Sequence, residues 1–469
     1  MRAFKLQVSG WVLLLLCLMY LILYVDRVNI STAAPLIKAD LALTNTQLGL
    51  AFSAFAYPYA LFQLVGGWLG DKFGARATLG VCGLIVCAAT AATGAVGGLA
   101  SLFAARLALG IGEGATFPTA TRAMSVWTPE ARWAFAQGIT HAFARIGNAL
   151  TPPLVAALVV LISWRGSFVV LALVSLVWVL VWIWFFRDDP AQHPSLTPEE
   201  LAVLSSRAGR SGERSVPWLP LFRRMLPVTA VDFCYGWTLW LFLSWIPSFF
   251  YQNYHQDLKQ SALYAAGVFL AGVIGDTVGG MMSDRILRRS ADRAAARRNV
   301  IVTGMLGGFV FLLPVILVHD VDVAAVSLAL AFFFVELVVA PIWSVPMDIP
   351  PRYSGSASGM MNFGFRACRD HLAVRLRLSD RPDRQLDAAV RGVDRTAAPR
   401  RGAGVPHASG PAVRGRTDRA AGGRPVLGPC CPAARESVAA LHDVAVRRRE
   451  PACRFPGFLT FRRRPCAHS

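Results

Sequence analysis

Four polar residues, Tyr24, Asp26, Arg27 and Asn29, interrupt the first hydrophobic stretch of the chain, which covers 11–37. A stretch of this length can cross a bilayer as a helix, since about 20 apolar residues suffice. A charge near the bilayer centre costs about 3 kcal/mol or more, so charged residues are retained there when they face a protein-lined pathway and pair with one another or with a substrate. These residues therefore predict the pathway of a membrane transporter.

A second acid and arginine lie in the fourth hydrophobic stretch, where Arg106 and Glu113 are seven residues apart. On a helix both side chains project from one face, about 10 Å apart along the axis. The planar fork of an arginine suits a carboxylate, and burial disfavours the charged form of a glutamate, which suits it to carrying a proton. The pair predicts an anion clamp beside a proton acceptor. The alternative is an internal salt bridge, of Arg106 with Glu113 or of either residue with Asp26 and Arg27.

The composition agrees with a membrane protein. The chain has 469 residues, of which 55% are hydrophobic and 16% are charged, with a mean hydropathy of +0.47, whereas about a quarter of the residues of a soluble domain are charged. Residues 366–469 carry +13 of the net charge of +19. The rest of the chain has no basic stripe interleaved with aromatic residues, so we expect no nucleic-acid partner. The cysteines lack metal-ligand spacing, and we expect no metal and no cofactor.

Ten hydrophobic segments position these residues, and an eleventh begins near Gly355. The segments cover 11–37, 46–70, 77–98, 99–121, 133–161, 165–186, 226–251, 260–282, 299–318 and 322–345. The only long connection is polar and covers 187–225. It separates six segments from four, so we predict an all-α polytopic protein on a 6+6 helix plan. Four parts follow: an N-terminal six-helix half (1–186), a central loop (187–225), an incomplete C-terminal half (226–365) and an Arg-rich tail (366–469). Alternate loops are basic, which places the N-terminus and the central loop in the cytoplasm.

A related motif follows the second and the eighth segments. It reads GGWLGDKFGAR from Gly66 to Arg76 and GGMMSDRILRR from Gly279 to Arg289, and such internal repeats are common in secondary transporters. The first copy resembles the loop motif of the major facilitator superfamily, G-x-L-x-D-R/K-x-G-R/K-R/K. The matching residues are Gly67, Leu69, Asp71, Lys72, Gly74 and Arg76, and Ala75 departs from the motif. We expect these residues, together with Asp284 and Arg285, to latch helices and gate the two halves rather than touch the substrate.

Several further fragments resemble one family within that superfamily, the anion:cation symporters. They are YVDRVNISTAAP, FSAFAYPYALFQ, RLALGIGEG, WRGSF, RDDPAQHPSLTPEE and WIPSFF. Bacterial members mostly import organic anions such as sugar acids together with protons. The resemblance implies proton-coupling roles for Asp26 and Glu113 and carboxylate contacts for Arg27 and Arg106. It also implies polar wall contacts for Tyr24, Tyr59 and Gln63, with Asn362 as a further candidate. Arg145 is a candidate third cation, and its alternative role is helix packing.

The expected function is a proton-coupled secondary transporter that imports a small organic anion such as a sugar acid or another carboxylate. The protein is expected to be a monomer in the bacterial inner membrane and not an enzyme. Two alternatives remain open: a transporter-like membrane sensor, or the non-functional truncated product of a frameshifted transporter gene.

The second alternative, the frameshifted product, arises from a break in the sequence near Phe365. Beyond it the chain is rich in Arg, Pro and Ala and has no apolar run long enough to cross a membrane. From Cys368 onward, the codons in a shifted reading frame permit AGTISPFVFGYLIDRTGNWTLPF, which has the pattern of an eleventh transporter helix. We therefore predict that residues after about 365 are a frameshifted translation, so that the last two membrane helices are missing. The alternative is a genuine basic extension.

Overall fold

The computed structural model describes residues 7–204, 215–254, 258–318, 320–349 and 351–364. All of them belong to one compact unit, Met1–Ala373. The Arg-rich tail, and with it the frameshift prediction, lies outside the described residues.

The N-terminal half consists of helices that follow one another with short connections. A capping box formed by Thr44 and Gln47 starts the second helix, and Gly74, at a φ of 86° that favours glycine, separates it from the third. The helices are α1 (Val8–Asp40), α2 (Asn45–Phe73), α3 (Ala75–Gly94), α4 (Leu99–Gly114), α5 (Thr116–Trp127), α6 (Trp133–Ile162) and α7 (Trp164–Phe185).

A short helix, α8 (Pro198–Val203), lies in the central loop, and the C-terminal half follows it. Its helices are α9 (Trp218–Asn253), α10 (Leu258–Ser290), α11 (Arg293–Leu317), α12 (Val321–Glu336), α13 (Val339–Asp348) and α14 (354–364). Among the described residues, eight helical stretches are long and apolar enough to cross a membrane. Each of the ten predicted segments coincides with a helix or with a broken helix, which confirms the all-α polytopic class.

The fourth and the tenth predicted segments are each broken in two. The first break lies at Ala115, between α4 and α5, and the second lies at Leu337 and Val338, between α12 and α13. A proline lacks an N–H, and its ring clashes with the carbonyl four residues earlier. Pro118 and Pro341 place this clash at Gly114 and Leu337, so each break lies next to the carbonyl that its proline crowds.

Polar and apolar residues are distributed as expected for a protein surrounded by lipid. Large apolar side chains face outward, for example Val160, which is 86% exposed, and Trp184, which is 74% exposed. Charged side chains such as Asp26 and Glu113 are buried between helices. The helix α6 packs against α1 on one side and against α10 and α13 on the other, so it joins the two halves.

Candidate functional site

The helices α1 and α4 bring Arg27 and Glu113 into an ion pair. The Nη2 and Nε atoms of Arg27 lie 2.5 Å and 3.0 Å from the same oxygen of Glu113, Oε2. Glu113 is fully buried, and the Arg27 side chain is 16% exposed. The sequence analysis left a salt bridge as the alternative role of these residues. The structure contains one, and the partner of Glu113 is Arg27 rather than Arg106.

Aromatic rings surround the guanidinium of Arg27. Its Cζ atom lies 4.8 Å from the ring centroids of both Tyr24 and Tyr59, and 5.5 Å and 5.8 Å from those of Phe55 and Phe117. Cations are attracted to the faces of such rings, most strongly where water is excluded. Two of the predicted wall residues, Tyr24 and Tyr59, therefore hold Arg27 in place.

Arg106 is a second buried cation of this site. It is 3% exposed, and its Nε atom has no hydrogen-bond partner among the described residues. Glu113 and Asp26 influence it electrostatically, but the ion pairs within 4.0 Å in the described part of the chain do not include it. Arginine is seldom fully buried unless it is paired. Arg106 is therefore available to an anion.

Asp26 lies beside these groups. One of its carboxylate oxygens accepts a hydrogen bond from the Ser175 hydroxyl at 3.1 Å, and Glu113 and Arg106 both act on it electrostatically. Asn29, one turn further along α1, is buried, and neither of its amide atoms has a hydrogen-bond partner within the described residues. Buried polar groups normally have such partners. The structure thus brings together the four charged residues singled out from the sequence.

Gln63 contacts the other half of the protein. It is buried and accepts a hydrogen bond of 2.8 Å from the amide of Asn362, which belongs to α14 in the other half. Gln63 and Asn362, both of them candidate substrate contacts from the sequence, therefore join the two halves of the protein.

Arg145 belongs to a second cluster. Its Nη2 atom lies 3.0 Å from Oε2 of Glu336 and 3.0 Å from the hydroxyl of Tyr235, and its Nε lies 3.7 Å from Asp276. The sequence analysis missed both acids. Each is a charged residue within a predicted apolar segment, which is the signal that identified Asp26, so the sequence contained the information needed to find them.

The two copies of the repeated motif make equivalent contacts. Asp71, at the end of α2, accepts hydrogen bonds from the N–H groups of Gly355 and Ser356 at 3.1 Å and 2.7 Å, and from the Ser356 hydroxyl at 2.7 Å. These donors lie in the first turn of α14, where helix N–H groups attract an anion. A Cβ atom at Gly67 would lie 2.2 Å from the Gly355 carbonyl oxygen, so the two helices meet at these glycines.

Asp284 is the counterpart of Asp71 in the C-terminal half. It accepts hydrogen bonds from the N–H groups of Ala134 and Phe135, at 3.2 Å and 2.8 Å, in the first turn of α6. Arg297 lies 3.1 Å from the same carboxylate. Each half thus places an aspartate on the N-terminus of a helix in the other half, and we call these contacts the two latches.

The remaining motif residues do not touch the opposite half in the described contacts. Lys72 lies over two neighbouring aromatic rings, and Arg285 is exposed. Arg76 donates hydrogen bonds to a backbone carbonyl of α7, and its N–H donates to Asp188 at 3.0 Å. Burial raises the pKa of the Asp188 carboxyl, which lies against Gly74. These residues fasten the turn between α2 and α3 to the end of α7.

The fold and the buried ion pairs are those of a membrane transport protein, and the chain belongs to the Major Facilitator Superfamily, whose sequence model matches residues 16–368. The predicted superfamily is therefore confirmed, and the protein is not an enzyme. The matched range ends close to the predicted break near residue 365.

Two named transporters are similar to this chain over most of its length. The chain is 49% identical over 364 residues to the "Probable sulfoacetate transporter SauU" of Cupriavidus necator, a match that covers 77% of this chain and 85% of that protein. It is 31% identical to the "Hexuronate transporter" of Bacillus subtilis, over 75% of this chain and 83% of that protein. Among solved structures, the fold is similar to that of FucP, a Major Facilitator Superfamily transporter in the outward conformation. That match has a TM-score of 0.62 and 16% identity, and it covers 80% of this chain and 94% of FucP.

Proposed function

We propose that this protein is a proton-coupled symporter that brings a small organic anion into the cell. The observation that carries the proposal is the buried guanidinium of Arg106, which lacks an ion-pair partner within the described residues and lies beside the Arg27–Glu113 pair. A substrate carboxylate or sulfonate would supply the oxygens that such a guanidinium binds in water-poor surroundings.

Proton uptake by Glu113 would prepare the site for the anion. In the present structure, the Oε2 atom of Glu113 occupies both Nε and Nη2 of Arg27. A proton on that oxygen removes the negative charge that holds Arg27, and the guanidinium can then donate to a substrate oxygen. Proton and anion thereby favour each other's binding, because the site carries an unbalanced charge when only one of them is present.

The charges of the four residues bear on the substrate. With Glu113 protonated and Asp26 ionised, Arg27 and Arg106 leave the site at +1, which matches a monoanion. With both acids protonated the site is at +2, which matches a dianion. Sulfoacetate carries a sulfonate and a carboxylate, and the relative at 49% identity is named for it. Sulfoacetate is therefore the first compound to test, and a hexuronate is the second.

The two latches suggest which side of the membrane the site faces. Both lie on the face that carries the central loop, which the basic loops predict to be cytoplasmic. With this face closed, the Arg27–Arg106 site would open toward the outside. A symporter that imports its substrate begins its cycle in this state.

Uptake into proteoliposomes with an alkaline interior tests the proposal. We expect labelled sulfoacetate to accumulate against its gradient, and Arg106→Lys to abolish binding because a point charge cannot replace the two-pronged donor. Arg224→Lys, at an exposed arginine near the start of α9, is the matched control. The same assays are run on the 469-residue chain and on a version with its reading frame restored near codon 366.

Glu113→Gln separates binding from coupling. The variant should still exchange labelled for unlabelled anion across the membrane, since the neutral amide also releases Arg27. It should fail to concentrate the anion in response to a pH gradient, because an amide carries no proton. Accumulation by Glu113→Gln as strong as that of the parent would exclude Glu113 as the coupling acid.

A further inference from the structure

The glutamate of the proposed site has a counterpart in the C-terminal half. The sequence from Glu113 to Pro118 reads EGATFP, and the sequence from Glu336 to Pro341 reads ELVVAP. In both, a glutamate stands five residues before the proline that breaks the helix, at the end of a 16-residue helix. Both halves thus contain the same combination of a buried glutamate, a helix break and an arginine partner.

Glu336 lies in a more negatively charged environment than Glu113. Glu336 accepts hydrogen bonds from Arg145 at 3.0 Å and from the Tyr235 hydroxyl at 2.9 Å. Asp276 lies 3.7 Å from the same arginine and also interacts with Glu336. Both acids are fully buried. Two carboxylates therefore share one guanidinium, and the group is at −1 when both acids are ionised.

The side chains around this cluster do not offset that charge. Among the described residues, the further titratable groups that act on it are Tyr24 of α1, His141 of α6 and Tyr235 of α9. None of them is a lysine or an arginine. An uncompensated charge in a protein interior is strongly unfavourable, so the cluster needs one more positive charge.

The oxygens of Asp276 show where that charge belongs. Neither accepts a hydrogen bond from an N–H or hydroxyl donor among the described residues. Glu336 is the charged group that acts most strongly on Asp276, and two carboxylates can hydrogen-bond to each other only with a proton between them. One proton would supply both the missing donor and the missing charge.

We propose that Asp276 and Glu336 together bind one exchangeable proton and form a second protonation site, separate from Glu113. The proton comes from water and bonds to an oxygen of one acid, which then donates to the other acid, while Glu336 keeps its contacts with Arg145 and Tyr235. The site lies between the halves, since Arg145 is on α6 and both acids are in the C-terminal half. Its role in transport rests on the proposed function, but its occupancy by a proton does not.

Infrared spectroscopy of the purified 469-residue chain tests the occupancy directly. A protonated carboxyl gives a C=O stretching band that shifts in heavy water, whereas a carboxylate does not. We expect one such band to disappear in Asp276→Asn and in Glu336→Gln and to persist in Glu113→Gln. Asp322→Asn, at an exposed acid near the start of α12, is the control. Absence of the band, or its persistence in both cluster variants, would overturn the proposal.

A stability measurement covers the case in which the variants no longer transport. Raising the pH should destabilise the parent, because loss of the shared proton leaves the buried cluster at −1. Asp276→Asn leaves Arg145 and Glu336 as a neutral pair, so its melting temperature should change less over the same alkaline range. Equal changes in the parent and in Asp276→Asn would contradict the shared proton.

Transport assays then show whether movement of this proton is coupled to uptake of the anion. At zero membrane potential, each coupled proton raises the limiting accumulation ratio about tenfold per pH unit. In the frame-restored protein, Asp276→Asn should keep exchange and lower this limit by about tenfold per pH unit. Dependence of uptake on sodium that is lost in Asp276→Asn would show that the site binds a metal cation instead. A cluster-dependent infrared band without proton-driven uptake would refute the proposed function and leave the protonation site standing.

Discussion

Removing the charge of Asp71 should open the face of the protein that the two latches close. The Asp71 carboxylate accepts three hydrogen bonds from Gly355 and Ser356, at 2.7 Å to 3.1 Å. Asparagine keeps the shape but turns one acceptor oxygen into a donor, which faces donors of the other half. Hydrogen bonds to a charged group contribute about 1.5–3 kcal/mol each, so the loss of at least one strong bond, with the others weakened, costs the closed state about 3 kcal/mol. This corresponds to an increase of about 100-fold in the open population.

Thiol labelling under the latch measures that population. Ser358 is fully buried one turn into α14, and its hydroxyl donates to the carbonyl oxygens of Ser354 and Gly355. A cysteine at this position, in protein whose native cysteines are replaced by serine, should react only when the halves separate. Under conditions of rapid reclosing, the labelling rate follows the open fraction. Asp71→Asn should therefore speed labelling by about 100-fold.

Two comparisons decide the outcome. Asp322→Asn removes an exposed acid and should leave the labelling rate unchanged. Asp284→Asn breaks the second latch and should act in the same direction as Asp71→Asn. If Asp71→Asn labels no faster than Asp322→Asn, the carboxylate does not hold the halves together and the latch interpretation is wrong.

The close approach of helices and the identity of the tail give two more predictions. Gly67→Ala should also speed labelling of the buried cysteine, because its Cβ would lie 2.2 Å from the carbonyl oxygen of Gly355. The control is Gly49→Ala, where nothing lies within 4 Å, and equal rates in the two variants would speak against the prediction. For the tail, restoring the reading frame near codon 366 should raise uptake strongly. The present sequence places four arginines between residues 366 and 377, which together cost about 10 kcal/mol in a membrane helix. Equal uptake by the chain with and without the restored reading frame would show that the frameshift prediction is wrong.

The helices and part of the site could be predicted because both depend on local composition. Apolar runs of membrane length identify the segments, and Asp26, Arg27 and Glu113 stand out as charges within them. The partner of Glu113 could not be predicted, because it depends on how α4 is rotated. That rotation follows from Gly110 and Gly114, where a Cβ atom would lie 2.4 Å and 2.7 Å from backbone carbonyl oxygens of α2. Helical periodicity alone does not show which neighbour a glycine will meet.

The pairing of Arg145 with Glu336 could not be predicted for a similar reason. Arg145 is 191 residues away from Glu336 along the chain, and their contact requires both halves to be assembled. A search for internal repeats that extended beyond the glycine-rich motif would have found the recurrence of a glutamate five residues before a proline. That recurrence would have drawn attention to Glu336, whereas Asp276 stands out only as a charge within a predicted apolar segment.

The latches also affect how this protein can vary during evolution. Asp71 and Asp284 bind mainly backbone N–H groups, which every residue except proline provides. The side chains of Ala134 and Phe135 can therefore change without loss of the contact, whereas replacement of either aspartate removes it. Pairs of positions that change together would not reveal these contacts, because one partner is free to drift. Gly355 and Ser356 are exceptions, since a Cβ atom at Gly355 would lie 2.6 Å from the carbonyl oxygen of Gly67, and the Ser356 hydroxyl itself donates to Asp71. The contacts between the halves would thus appear in a family alignment mainly as invariant acids and glycines, because most of their partners across the interface are backbone groups.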